Sequence, residues 1–193
     1  MIIHIHGMAP SMSDPFYEWR EAYAGLIGCE LRVVAWMPIT ADTPDVVTNL
    51  GAAAFVFSGA VMIAPAEGSD VFLTWAWKPR VYGYHLAVSQ QVDWQAGCLD
   101  RIRCRFDGPW EGVQGARLID VRLFQAPSME GGLKTAAIRH TVAGENGDVF
   151  FWIGCGDAGG VGDHDDLWVG VNVEPANLAD LVEVLVLTDQ AKT

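Results

Sequence analysis

The chain has 193 residues, a length that suits one domain with a sizeable hydrophobic core. Hydrophobic residues make up 51% of the sequence and charged residues 19%, which excludes an intrinsically disordered chain. The formal net charge is −12, so the sequence lacks the cationic excess that nucleic-acid phosphates require. The local basic cluster Arg101, Arg103 and Arg105 is expected to form a solvated strand face.

The sequence carries no signal that predicts export or membrane insertion. The N-terminal residues lack the basic and long apolar regions of a signal peptide, and no apolar stretch reaches the ~20 residues of a membrane span. Cys29, Cys98, Cys104 and Cys155 form no C-x-x-C pair, which excludes zinc-ribbon and thioredoxin-type motifs. We therefore expect a cytoplasmic protein with reduced thiols, with neither a membrane nor a nucleic acid as its partner.

The first 50 residues predict a β-α-β opening segment. Residues 2–6 form a short β-prone run, and Asp14 before Pro15 provides a helix start. A helix over residues 16–27 follows, with Gly28 as its C-cap, and a strand over residues 30–37 completes the unit. The residues that recur at helical spacing are Phe16, Trp19, Tyr23 and Leu26.

Beyond residue 51 the apolar period changes to two, which predicts an antiparallel β body over residues 51–193. The strongest hairpin signal is Asn146 followed by Gly147. The predicted strands cover residues 54–63, 71–77, 82–92, 101–105, 117–124, 135–142, 149–154, 167–173 and 181–187. We predict a single domain over residues 1–193 that is mainly β, an antiparallel β-sandwich or jelly roll with one N-terminal helix.

His4 and His6 form the sharpest chemical pattern in the sequence. On a strand they would point to the same face about 7 Å apart and could hold one divalent metal ion with a third ligand. The third ligand could come from His85, His140 or His164. This pair predicts, as an alternative function, a metal-dependent enzyme. The structural alternative is a pair of histidines hydrogen-bonded at a strand end.

A second candidate metal site lies in the glycine-rich loop between the strands predicted at residues 149–154 and 167–173. The loop contains four carboxylates, Asp157, Asp163, Asp165 and Asp166. Oxygen ligands on a flexible loop are typical of a calcium site, although the spacing does not match an EF-hand. The alternative is a solvated acidic loop.

The tryptophans provide a third candidate site. Trp110, beside Pro109 in a turn, is expected to be exposed, and Trp168 directly follows the acidic loop. Carboxylates such as Asp165 beside an aromatic platform would suit a carbohydrate, so Trp110, Trp168 and Asp165 are candidate ligand-binding residues. The alternative for each tryptophan is packing in the core.

The opening residues, with a short strand, a helix and the run LRVVAWMP, resemble the entrance of an α/β-hydrolase over about the first 38 residues. No G-x-S-x-G elbow follows, because the nearest serine, Ser58, has glycine on one side only. A serine hydrolase is therefore excluded, and no other catalytic signature is complete. The sequence favours a non-catalytic binding or assembly module that recognises a glycan or a protein partner and forms homo-oligomers through long β edges.

The metal hypothesis for His4 and His6 makes a direct prediction. Purified protein should contain near-stoichiometric zinc, iron, nickel or manganese, and the His4→Ala and His6→Ala variants should lose it, because each removes a ligand. Elemental analysis measures the metal content. Wild-type protein without a bound transition metal would contradict the hypothesis.

Overall fold

The computed structural model describes residues 14–38, 48–49, 53–78, 83–90, 103–104, 108–128, 131–155 and 166–189. Within these ranges the chain forms one α-helix and two antiparallel sheets, which confirms the prediction of a mainly β, sandwich-like fold. The predicted strand at residues 2–6 lies outside the described residues. The elements are α1 Tyr17–Ala24, β1 Leu31–Pro38, β2 Thr48–Asn49, β3 Ala54–Phe57, β4 Gly59–Pro65, β5 Val71–Lys78, β6 Gly83–Ser89, β7 Arg103–Cys104, β8 Arg117–Pro127, β9 Leu133–Gly144, β10 Gly147–Cys155, β11 Leu167–Val171 and β12 Val182–Thr188.

One sheet has seven strands in the order β12-β8-β9-β10-β11-β3-β2, and the other has five in the order β6-β5-β4-β1-β7. The main core cluster contains residues from both sheets, such as Phe55 and Phe151 from the first and Val61 and Leu73 from the second. The core therefore lies between the two sheets. No helix in the described ranges is both long and apolar enough to cross a membrane.

Each strand predicted beyond residue 51 overlaps an observed strand, and the β9–β10 hairpin turns at Gly147 as expected. The prediction of one strand over residues 54–63 is wrong in one respect. The chain passes between sheets at Ser58, so β3 belongs to the seven-stranded sheet and β4 to the five-stranded sheet. An unbroken apolar run cannot show this change, because both strands are fully buried.

The helix begins where predicted and ends earlier. The Asp14 carboxylate accepts a hydrogen bond from the Phe16 N–H at 2.9 Å, so it caps the first turn. The helix ends at Ala24, and the prediction of Gly28 as its C-cap is wrong. Gly28 has a left-handed φ of +86° and donates its N–H to the Leu118 carbonyl at 2.8 Å. The turn after the helix is thereby fixed to β8.

Tyr23 and His140 join the helix to the seven-stranded sheet inside the core. The Tyr23 hydroxyl lies 2.7 Å from Nε2 of His140, and both side chains are fully buried. The imidazole stacks on Phe151 with ring centroids 4.4 Å apart. Burial lowers the pKa of His140 from 6.5 to about 3, and the backbone of Phe151 opposes this shift by a smaller amount. The ring is therefore neutral at physiological pH and can accept the Tyr23 proton through Nε2.

We expect acid to destabilise the protein through His140. In the unfolded chain the pKa of the imidazole returns to 6.5, whereas the folded state resists protonation until the pH approaches about 3. The unfolded state thus binds more protons within this window, and the free energy of unfolding should fall as the pH decreases through it. Denaturant melts at a series of pH values measure this dependence.

The control for this prediction is His140→Gln, which keeps an acceptor for Tyr23 but cannot titrate. Its stability should change less steeply with pH than that of the wild type across the same window. Equal slopes for the two proteins would contradict the account. At neutral pH, Tyr23→Phe should lower stability by about 1–3 kcal/mol because it leaves Nε2 of His140 without a partner.

Candidate functional site

The face of the seven-stranded sheet turned away from the core, here called the outer face, carries the most chemically diverse set of side chains in the described residues. Strand register aligns Arg122 on β8, Arg139 on β9, Trp152 on β10 and Gly170 on β11 in one row. Their neighbours on the same strands alternate between this face and the core, as the period of two requires. An apolar cluster separate from the main core lies here, formed by Ala54, Val56, Phe124, Ala137, Trp152 and Trp168.

Charged side chains of opposite sign form a network on this face. Nε of Arg122 donates to the Asp120 carboxylate at 2.9 Å, and its Nη1 donates to Glu183 at 3.1 Å. A second cation, Arg139, lies 3.7 Å from the same Asp120 oxygen. The hydrogen bond to Asp120 is the main reason that the pKa of Arg122 is raised. The network balances two cations with two carboxylates and stays accessible, since 36% of the Arg122 side chain is exposed.

Aromatic rings flank the second arginine. The Arg139 guanidinium carbon lies 6.0 Å from the ring centroids of both Phe150 and Trp152. The Trp152 ring in turn packs against Phe124, with centroids 4.9 Å apart. A cation above an aromatic face is attracted by the ring quadrupole, so these contacts hold Arg139 in place beside the charged network.

Several polar atoms of this face are buried without a hydrogen-bond partner in the protein. They are Nε1 of Trp152, Nε of Arg139 and Oγ1 of Thr141. Thr141 follows Arg139 on the same side of β9, and Trp152 is the cross-strand partner of Arg139. Native proteins pair the great majority of such groups, so three unpaired atoms on adjacent residues indicate unused hydrogen-bonding capacity.

A chain segment, residues 172–181, crosses the outer face and is here called the crossover segment. Four antiparallel pairings separate β11 from β12, so these two strands run in the same direction. The chain must therefore return along the sheet between them. The inner face is already covered by the other sheet, and Leu181 at the end of the segment packs against the outer apolar cluster. A fourth unpartnered atom, Oδ1 of Asn177, belongs to this segment.

The crossover segment is hydrogen-bonded to the sheet at its start. The Asn172 N–H donates to the Phe150 carbonyl at 2.8 Å, and Oδ1 of Asn172 accepts from the Phe150 N–H at 3.2 Å. Asn172 has a φ of 52°, a left-handed conformation that asparagine tolerates better than most residues. From there to Leu181, the backbone hydrogen bonds of the segment are short-range turns within itself.

The structure places the described candidate residues in different surroundings. Trp168 lies on the outer face with Trp152 and is almost fully buried. Asp166 is buried directly before β11. Trp110 belongs to the main core, 0% exposed, and its ring lies 5.0 Å from that of Trp36. The prediction of an exposed Trp110 is therefore wrong, because the turn signal at Pro109 does not determine where the next side chain points.

The remaining predicted site residues are His4, His6, Asp157, Asp163 and Asp165, and all of them lie outside the described residues. The metal hypotheses built on them stay predictions. Within the described ranges, no group of three or more histidine, cysteine or carboxylate side chains could hold a metal ion.

The sequence analysis did not identify Arg122, Arg139, Phe150 and Trp152 as candidates. The signal that could have found them is the alternation within a confident hairpin, where these residues occupy the positions opposite to the core-facing ones. No protein-family model, curated protein or solved structure matches the chain. The geometry of the outer face is therefore the basis for a functional proposal.

Gly170 allows the ring of Trp168 to lie across β11. A Cβ atom at position 170 would stand 2.8 Å from the Cη2 and Cζ2 atoms of Trp168. We expect Gly170→Ala to displace that ring and to lower stability by about 1–3 kcal/mol. Thermal or denaturant melts measure the change.

The matched control is Gly25→Ala, where an added Cβ meets nothing within 4 Å and φ is −90°. That variant should be as stable as the wild type or slightly more stable. A second variant, Gly170→Ala combined with Trp168→Leu, should recover part of the loss by removing the clashing ring. Wild-type stability of Gly170→Ala alone would contradict the proposed packing.

Proposed function

We propose that the protein is a non-catalytic binding module that recognises a glycan through the outer face of its seven-stranded sheet. The observation that carries the proposal is the set of unpaired polar atoms on Arg139, Thr141 and Trp152, directly beside aromatic rings. The other unpaired indoles, those of Trp36, Trp75 and Trp110, pack in or against the main core, away from the charged network.

The chemistry of the face suits a sugar. Sugar hydroxyls donate and accept hydrogen bonds, and here donors from Arg122 and Arg139 stand beside acceptors from Asp120 and Glu183. The C–H face of a pyranose packs on aromatic rings, and the partly exposed Phe150 offers one at the edge of the buried cluster. Because the charges balance, a neutral glycan is favoured over a strongly anionic one.

The test is binding of labelled protein to an array of neutral and acidic oligosaccharides, followed by titration with the best soluble ligand. We expect wild-type protein to bind neutral oligosaccharides, and Arg122→Gln and Phe150→Ala each to weaken binding by roughly tenfold or more. A lost hydrogen bond to a charged group is worth about 1.5–3 kcal/mol, and each 1.4 kcal/mol is tenfold in affinity.

The matched controls are Arg20→Gln and Tyr17→Ala, which alter exposed residues of the helix. Both should bind like the wild type. An array without a signal for wild-type protein would contradict the proposal, and so would a signal that Arg122→Gln and Phe150→Ala leave unchanged while both variants remain folded.

A further inference from the structure

We propose that β12 is the contact surface for a second copy of this chain, with the two β12 strands pairing antiparallel about a two-fold axis. β12 stands at one end of the seven-stranded sheet, so its outer edge has no neighbouring strand within that sheet. An edge strand presents backbone N–H and C=O groups that can pair with another strand. This inference does not depend on the proposed glycan binding.

Among the four sheet edges in the described part of the chain, β12 is the most available. β2 and β7 each have two residues and offer little backbone to pair with. β6 has seven residues, but it contacts β9 and α1. β12 also has seven residues, and its side chains Val182 and Val186 are 52% and 42% exposed. These are two of the six large hydrophobic side chains that the described residues expose.

β12 lacks most of the devices by which natural proteins protect an edge. Its sequence, VEVLVLT, contains no proline and no lysine, and β-branched residues favour pairing. Glu183 is the one charged residue in the strand. A register shift between Glu183 and Leu185 disturbs the first part of the strand, but residues 185–188 are paired regularly with β8. This regular stretch is the part that can accept a partner.

The self-pairing has one register that keeps like faces together. Along the regular stretch, Leu185 and Leu187 alternate with Val186 and Thr188, so antiparallel partners must have matching parity. A two-fold axis at Val186 places the two Val186 side chains opposite each other on the outer face. It also pairs Leu185 of each copy with Leu187 of the other on the inner face. Such an interface is isologous and closes after two copies.

The charges at this edge permit the approach of a second acidic chain. Two copies that each carry a net charge of −12 repel each other in general. At the β12 edge, however, Glu183 is bonded to Arg122, and Asp189 is bonded to Arg117. The carboxylates nearest the proposed interface are thus already paired with cations of their own chain, which reduces local repulsion.

The test is sedimentation velocity or light scattering of the wild type over a range of concentrations, compared with Val186→Lys. We expect a concentration-dependent monomer–dimer equilibrium. In Val186→Lys, the dissociation constant should rise by about tenfold or more, because two lysines would face each other in place of two valines. Val173→Lys, at an exposed valine near β11, is the matched control and should dimerise like the wild type.

A cysteine variant keeps the test decisive if Val186→Lys folds poorly. Residues directly opposite in an antiparallel pair have Cβ atoms about 4.5–5.5 Å apart, so Val186→Cys should form a covalent dimer under mild oxidation and Val173→Cys should not. A wild type that stays monomeric at every concentration would overturn the proposal. So would a dimer that well-folded Val186→Lys leaves intact, or equal cross-linking of the two cysteine variants.

Discussion

The parallel course of β11 and β12 within an otherwise antiparallel sheet is the constraint on which the rest of the structure depends. Three strands lie between them, so residues 172–181 must travel back across the sheet. The five-stranded sheet occupies the inner face, and the return therefore takes place over the outer face. As a result, the outer face is not a simple solvated surface, and it can bury an apolar cluster that contains Trp152 and Trp168.

The same constraint explains the mixed chemistry of the outer face. Near the crossover segment, aromatic and small side chains are buried, as on a sheet covered on both sides. Farther towards β12, Arg122 and Glu183 remain accessible and form ion pairs with each other and with Asp120. Arg139 lies between the two regions and contacts both rings and carboxylate. A ligand on this face would meet apolar rings and polar groups together, the usual composition of a small-molecule site.

The constraint also leaves β12 at the end of the sheet. A strand that enters after a long return has no further strand beside it in the sheet, and its valines stay exposed. Antiparallel pairing about a two-fold axis perpendicular to the sheet would place the outer faces of both copies on the same side. Two glycan-binding faces in one surface would bind a polymeric ligand with greater avidity than one.

Most of the fold could be predicted from the sequence, because alternation and turn residues are local properties. The helix start at Asp14 and the hairpin at Gly147 follow from single side chains and glycine chemistry. The order of strands within a sheet is not local. The sequence around Ser58 does not show a change of sheet, and nothing near Leu181 shows that it packs on the outer apolar cluster.

The candidate site was harder to predict for the same reason. Arg122, Arg139 and Trp152 come from three strands, and only their register places them side by side. Each residue alone has an ordinary explanation as a solvated or core side chain. Trp110 shows the opposite error, since a local turn pattern predicted exposure for a ring that the core encloses. Burial depends on what packs above a residue, and that information is held elsewhere in the chain.

The most direct test of the account is the indole N–H signal of Trp152 in a nitrogen-15 NMR spectrum, assigned with a Trp152→Phe variant. Addition of a neutral oligosaccharide that binds the protein should shift this signal, because the unpaired Nε1 lies within the proposed site. The signal of Trp110, enclosed in the main core, should stay in place. A Trp152 signal that does not respond while the sugar binds would show that the outer face is not the binding surface.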